Sequence, residues 1–262
     1  MKLTDKQRER YSRQLVLDAV GEDGQQKISD ASVLVIGTGG LGSPVLLYLA
    51  AAGVGTLGVA DGDVVDHSNL QRQIIHSTSD VGRPKVDSAA EKLSRLNPDV
   101  RLIKHPLMAA PENITQMIDG YDFVVEATDN FETKFLINDA CVLAGKPFSH
   151  AGVLRMSGQT ITVLPGRSAC LRCLFDQPPP PGSVPGAAQV GILGAVAGTL
   201  GTVQATEALK YILGAGVLLQ NRLMKLDAQQ MRFTTLNIKR NSACKVCGTT
   251  AFKSQCQSSN AK

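Results

Sequence analysis

The chain has 262 residues, 43% hydrophobic and 19% charged: enough apolar material for one large α/β core, and too little charge for a disordered chain. Its 27 basic and 23 acidic residues leave a net charge of +4 spread along the whole length. With aromatics at only 4%, neither a charged arm nor a base-stacking surface for nucleic acid is expected.

The N-terminus MKLTDKQRERYSRQ has no apolar run behind its charges. The longest apolar stretch, residues 190–200, is Gly/Ala-rich and too short to span a bilayer. The expectation is a cytoplasmic protein with neither secretory signal nor membrane anchor. Residues 1–30 read as a peripheral helical segment leading into a domain over 31–248.

The run Val33-Leu34-Val35-Ile36 is continuous and β-branched, the pattern of a strand buried on both faces. It closes on Gly37-Thr38-Gly39-Gly40-Leu41-Gly42-Ser43-Pro44, followed by a helix to Ala52. A second strand, residues 56–60, ends in Asp61, at about the 20-residue interval where a dinucleotide fold places its ribose-binding acid. Residues 100–104 and 123–126 read as further buried strands, with helices over 86–96, 112–118 and 131–144. This alternation predicts a Rossmann-like, mostly parallel sheet flanked by helices.

After Pro147 the pattern changes. Residues 157–164 alternate like an exposed-edge antiparallel strand, and 222–226 with 232–238 form a hairpin-like pair, so the sheet is expected to be mixed. The Pro-rich stretch from Gln177 to Gly186 fits neither helix nor central strand and marks a crossover loop over about residues 176–190. Residues 249–262 are Ser/Gln-rich and predict a flexible tail.

A glycine turn at a helix N-terminus lets backbone N–H groups approach phosphate, and Gly37, Gly39, Gly40 and Gly42 suit that use; tight turns also need glycine for conformational reasons alone. The segment from Asp61 through Asp63 and Asn69 to Arg72 and Gln73, followed by Gly82-Arg83-Pro84-Lys85, adds what a dehydrogenase would not require. It supplies an amide, a guanidinium and an ammonium suited to polyphosphate, which points to ATP. Asp129, just past a buried strand, is placed to hold magnesium; the alternative for Asp129 and Asn130 is a cap on the following helix.

Cys170-x-x-Cys173 and Cys244-x-x-Cys247 each make a two-thiolate clamp, and together they make the tetrahedral sulfur set of a structural zinc site. The alternative is two unrelated redox or buried pairs. Cys141 reads as core, and Cys256 as an exposed thiol in the tail or a mobile sulfur-handling one. His67, His76, His105 and His150 lack ligand spacing and read as structural.

The motifs G-T-G-G-L-G-S-P, D-G-D-V-V-D-H-S-N-L-Q-R-Q, G-R-P-K and A-T-D-N, in this order, resemble the ThiF/MoeB/HesA family, bacterial relatives of ubiquitin-activating enzymes. Arg13-Gln14 and Gln204-Ala205-Thr206-Glu207-Ala208-Leu209-Lys210 also look like family positions, so the resemblance covers about residues 11–248. It implies a homodimer that uses ATP and magnesium to adenylate the C-terminal glycine carboxylate of a ThiS- or MoaD-like sulfur-carrier protein, for thiamine, molybdopterin or related sulfur transfer. By position, Asp61 would bind ribose, Asn69, Arg72 and Lys85 the phosphates, Asp129 the magnesium, and Arg13 the phosphates of the neighbouring subunit. Gln73 is a further contact, and the family also carries the zinc site.

One departure stands out. Many relatives have a cysteine in the crossover loop ahead of the stretch that here reads Gly191-Ile192-Leu193-Gly194, where this chain has Gly186-Ala187-Ala188-Gln189-Val190. A covalent persulfide or thioester on that loop is not expected, and adenylation stands without it; a persulfide sulfur donor is a candidate partner, with the source of the sulfur left open. Two other readings remain at this point: an NAD-dependent oxidoreductase on the same glycine turn, and a non-catalytic carrier-binding scaffold.

Overall fold

A computed structural model describes residues 3–180 and 182–248. The proposed tail, with Cys256, lies outside the described residues. The N-terminal segment is helical as expected: α1 (Asp5–Arg10), α2 (Ser12–Leu15) and α3 (Gly21–Asp30). Thr4 starts α1 with a capping box, its side chain accepting from Gln7 N while Gln7 Oε1 accepts from Thr4 N.

Eight strands form one sheet: β1 (Ser32–Ile36), β2 (Thr56–Ala60), β3 (Arg101–His105), β4 (Phe123–Glu126), β5 (Phe148–Leu154), β6 (Ser157–Val163), β7 (Arg222–Asp227) and β8 (Arg232–Asn237). Their order is β3-β2-β1-β4-β5-β6-β7-β8. Pairing is parallel from β3 to β5 and antiparallel from β5 to β8, so β5 is the strand at which the sheet changes sense.

On one face lie α4 (Gly42–Ala52), α5 (Lys85–Leu96) and α10 (Gly194–Leu213), whose Val45, Leu49, Leu93, Leu200 and Ala208 pack over Val33, Val35 and Val125. The other face carries α6 (Ile114–Ile118) and α7 (Phe131–Leu143), packed over Leu34, Ile36, Val124 and Phe148. The continuous apolar runs of β1 and β4 follow from this, since each strand is covered on both sides.

Four expectations need correction. The strand near residues 100–104 is not buried: β3 ends the parallel side of the sheet, with Arg101 and Lys104 exposed. Conversely, β6 is not an edge strand; it lies between β5 and β7, and β8 takes the exposed edge. β5 and the 20-residue α10 were not expected at all. Finally, a single helical turn, α8 (Leu171–Leu174), precedes the crossover loop, whose end winds into a short helix, α9 (Ala187–Val190).

Candidate active site

The carboxyl ends of β1, β2, β4 and β5 open into a cavity of about 1340 Å³, larger than the ~300–1,000 Å³ of a typical single-ligand pocket. Of the predicted residues, Gly37, Gly39, Gly40, Asp61, Asp63, Arg72, Gln73, Lys85 and Asp129 all line it.

The glycine turn mixes two requirements. Gly37 has φ +101°, and a Cβ there would come within 2.5 Å of Ala127 O; a Cβ on Gly42 would fall 1.8 Å from Gly37 O. These two are conformational glycines, and Gly42 does not face the cavity. Gly39 is different: a Cβ would meet only the Gln73 side chain, at 3.6 Å, so its bare backbone is open to a ligand.

Asp61 anchors the turn. Its Oδ2 accepts from Thr38 N and Thr38 Oγ1, both at 2.8 Å, and its Oδ1 accepts from Asp63 N at 2.9 Å. Lys85, the first residue of α5, sends Nζ to Asp63 Oδ2 at 2.9 Å and stands 4.0 Å from Asp61 Oδ1. His76 props the turn from below, with its ring nitrogens 2.8 Å from Ser88 Oγ and 3.2 Å from Thr38 O; burial lowers its pKa.

Arg72 and Gln73 enter from a short turn in which both backbone N–H groups donate to Asn69 O at 3.0 Å. Asn69 itself does not line the cavity; it shapes the turn that presents its neighbours. Gln73 is nearly buried, and its Oε1 has no hydrogen-bond partner among the described residues. The two readings of the Asp129-Asn130 pair separate cleanly. Asn130 caps α7 by accepting from Thr133 N at 2.8 Å, which leaves the Asp129 carboxylate facing the cavity. Arg13, on α2, is not brought to the cavity of its own chain.

Sequence reasoning missed an ionic cluster under the site. Glu126, at the end of β4, is fully buried, with Lys134 Nζ at 3.0 and 3.1 Å from its two oxygens and His150 Nδ1 at 2.6 Å. Burial would raise the Glu126 carboxyl, but Lys134 and His150 outweigh it and hold the pKa at about 2. His150, read as structural, does pair with Glu126 and also lines the cavity; His105, which bonds Tyr121 at 2.9 Å, does not line it. A charged residue closing an apolar strand, as in Phe123–Glu126, was the available signal.

The four cysteine sulfurs lie within 4.8 Å of one another. Cys170 Sγ is 3.8 Å from Cys244 Sγ, and Cys173 Sγ is 3.3 Å from Cys247 Sγ. A tetrahedral Zn–S₄ centre with bonds of about 2.3 Å requires sulfur separations of about 3.8 Å, so the donor set and its dimensions fit zinc. Asn241 N donates to Cys173 Sγ at 3.4 Å and Arg240 donates to Cys247 O, the kind of outer contact that orients metal ligands. Cys141 is core, its thiol pushed up by burial.

The family model described as "ThiF family" matches residues 11–246. The chain belongs to the ThiF family. Among curated ThiF relatives, the SAMP-activating enzyme E1 of Haloferax volcanii is 46% identical over 92% of this chain and 89% of its own. The sulfur carrier protein adenylyltransferase of Thermus thermophilus is 44% identical over 95% of this chain and 93% of its own. A crystal structure of E. coli MccB with ATP is similar with a TM-score of 0.79 at 22% identity, covering 91% of this chain and 74% of that one. At that identity the likeness shows the shared fold.

Proposed function

We propose that this protein adenylates the C-terminal glycine carboxylate of a ubiquitin-like sulfur-carrier protein, consuming ATP and releasing pyrophosphate. The observation that carries the reading is the convergence of Arg72, Lys85, Asp129 and the open backbone at Gly39 on one cavity, in a chain 44% identical over 95% of its length to a sulfur carrier protein adenylyltransferase.

In this reading a carboxylate oxygen of the carrier attacks the α-phosphorus while the bond to the bridging oxygen of pyrophosphate breaks. The electron pair leaves with pyrophosphate. The carboxylate is already ionised at neutral pH, so no general base is needed; the protein's work is alignment and neutralisation of charge at the phosphates. Asp61, at the end of β2, takes the ribose. Arg72 and Lys85 bind the phosphates, Gln73 adds a contact near Gly39, and Asn69 acts through the turn it organises.

Asp129 offers an uncommitted carboxylate, a hard oxygen ligand suited to magnesium, which would offset phosphate charge. Zinc at Cys170, Cys173, Cys244 and Cys247 would tie the segment after β8 to the segment that leads into the crossover loop, a role in fold integrity. The working form is a homodimer in which Arg13 reaches the phosphates of the other subunit. Among the described residues the four clustered cysteines would hold the metal and Cys141 is sealed in the core; with Cys256 outside them, this reading assigns sulfur delivery to a separate persulfide donor.

The test is magnesium-dependent exchange of labelled pyrophosphate into ATP with Gly-Gly-ended carriers of the same genome. Exchange that requires one carrier supports the reaction and names the partner. A folded, zinc-loaded protein that exchanges with none would instead favour a scaffold.

A further inference from the structure

Four residues in register cross the sheet at the level of the site: Ala60 on β2, Ile36 on β1, Glu126 on β4 and His150 on β5. In-register neighbours share a face, and Ala60, Ile36 and His150 line the cavity. Two residues beyond His150, on the same face, a second row runs through Gly152, Gln159, Lys225 and Thr234 on β5 to β8, and all four line the same cavity.

The cavity therefore has one floor and two lobes. One covers the parallel strands, where Asp61 and the glycine turn lie. The other covers the antiparallel strands and is bordered by the crossover loop at Gln177 and Pro179. His150 stands where the lobes meet.

Its ring is fixed. Nδ1 lies 2.6 Å from Glu126 Oε2, and the charge of Glu126 is already balanced by Lys134, which also donates to Thr128 O and Ala151 O at 2.7 Å. A proton added to the ring would leave this buried group with net positive charge, which burial opposes. Nδ1 therefore carries the hydrogen and donates it to Glu126, leaving a lone pair on Nε2. Nε2 has no partner among the described residues and is not sealed off from the cavity.

An acceptor fixed in this way selects a donor. The ribose end of the site is three strand spacings away, about 14 Å, so the nucleotide sugar at Asp61 is out of reach. A glycine tail entering from the antiparallel lobe has no side chains and a terminal carboxylate that an imidazole lone pair repels; its only donors are peptide N–H groups. We propose that His150 Nε2 accepts a backbone N–H from the last glycines of the carrier, a substrate-binding contact that sets how deep the tail enters. This rests on the adenylation reading above.

The test is pyrophosphate exchange by the full-length protein as wild type, His150→Ala and His150→Gln. Loss of one neutral hydrogen bond should raise KM for the carrier about 5- to 10-fold in the alanine variant, with kcat and KM for ATP within about twofold. The glutamine variant, which keeps an acceptor, should recover part of the loss. A semisynthetic carrier ending in N-methylglycine removes the donor from the other side; wild type should lose affinity for it while His150→Ala loses nothing further. An unchanged carrier KM in His150→Ala, a rise in KM for ATP instead, or equal losses on N-methylation in both proteins would overturn the contact. If His150→Ala does not fold, the glutamine variant and the modified carrier still decide the matter. Absence of exchange in wild type with every carrier would sink the adenylation reading and this contact with it, an outcome distinct from an active enzyme indifferent to His150.

Discussion

Lys85 Nζ lies 2.9 Å from Asp63 Oδ2 and 4.0 Å from Asp61 Oδ1, so the ammonium that would meet phosphate is held by two acids from the end of β2. Removing it takes away a charge aimed at the cavity and leaves the fold's apolar layers intact. Lys85→Ala and Arg72→Ala should each lower kcat for pyrophosphate exchange by about 10²–10³, with a Tm shift of only a few degrees. Normal exchange in both variants would refute their assignment to the phosphates.

The cysteine cluster should behave as a structural metal site. Binding free energies for structural zinc are on the order of 10 kcal/mol, comparable with the whole stability of a domain. Metal analysis should find one zinc per chain, and its removal by a chelator, or Cys170→Ser, should lower Tm sharply and expose the segment after β8 to protease. An unchanged Tm after complete removal of zinc would show that the cluster adds nothing to stability.

Glu126 makes a pH prediction with a definite sign. Its folded pKa of about 2 lies below the ordinary value of 4.5, so its contribution is full above about pH 4.5 and is lost as the pH falls toward 2. That loss is about 3 kcal/mol in wild type, read from denaturant unfolding across this range, and the slope should be shallower in Glu126→Gln. Lys134→Met strands the buried carboxylate and should cost about 3–5 kcal/mol at neutral pH.

Arg13 tests the shared site. Arg13→Ala and Asp129→Ala should each be inactive alone. Once their subunits are allowed to exchange, half the dimers are mixed and each holds one complete site, so activity should return to roughly a quarter of wild type. Subunits shown to exchange without recovery would place Arg13 outside the active site of its neighbour.

The local pattern of the sequence carried much of this molecule. A β-branched run closed by glycine, as at Val33–Gly37, has few conformations open to it other than a buried strand entering a tight turn. The same holds for the run that leads into Asp61. Two C-x-x-C pairs specify a sulfur tetrahedron wherever they meet, and the ordered motifs from Gly37 to Asp129 identified the family before any contact was known.

Tertiary structure decided what depends on neighbours. Residues 101–105 and 157–163 have strand-like sequences, but which of them is an edge follows from the strand order, which no local window contains. β5, written Phe-Ser-His-Ala-Gly-Val-Leu, has weak intrinsic preference and becomes a strand because β4 and β6 pair with it on both sides. α10 is hidden by its small residues, which suit close packing more than they display a period. His150 shows the limit most clearly. The fixed orientation of its ring depends on Glu126, 24 residues earlier, and only the register of β4 against β5 puts the imidazole beside the carboxylate. Backbone sterics and side-chain periodicity act within a few residues and are legible in the sequence; burial, charge pairing and the sharing of one cavity floor arise only when distant segments come to lie side by side.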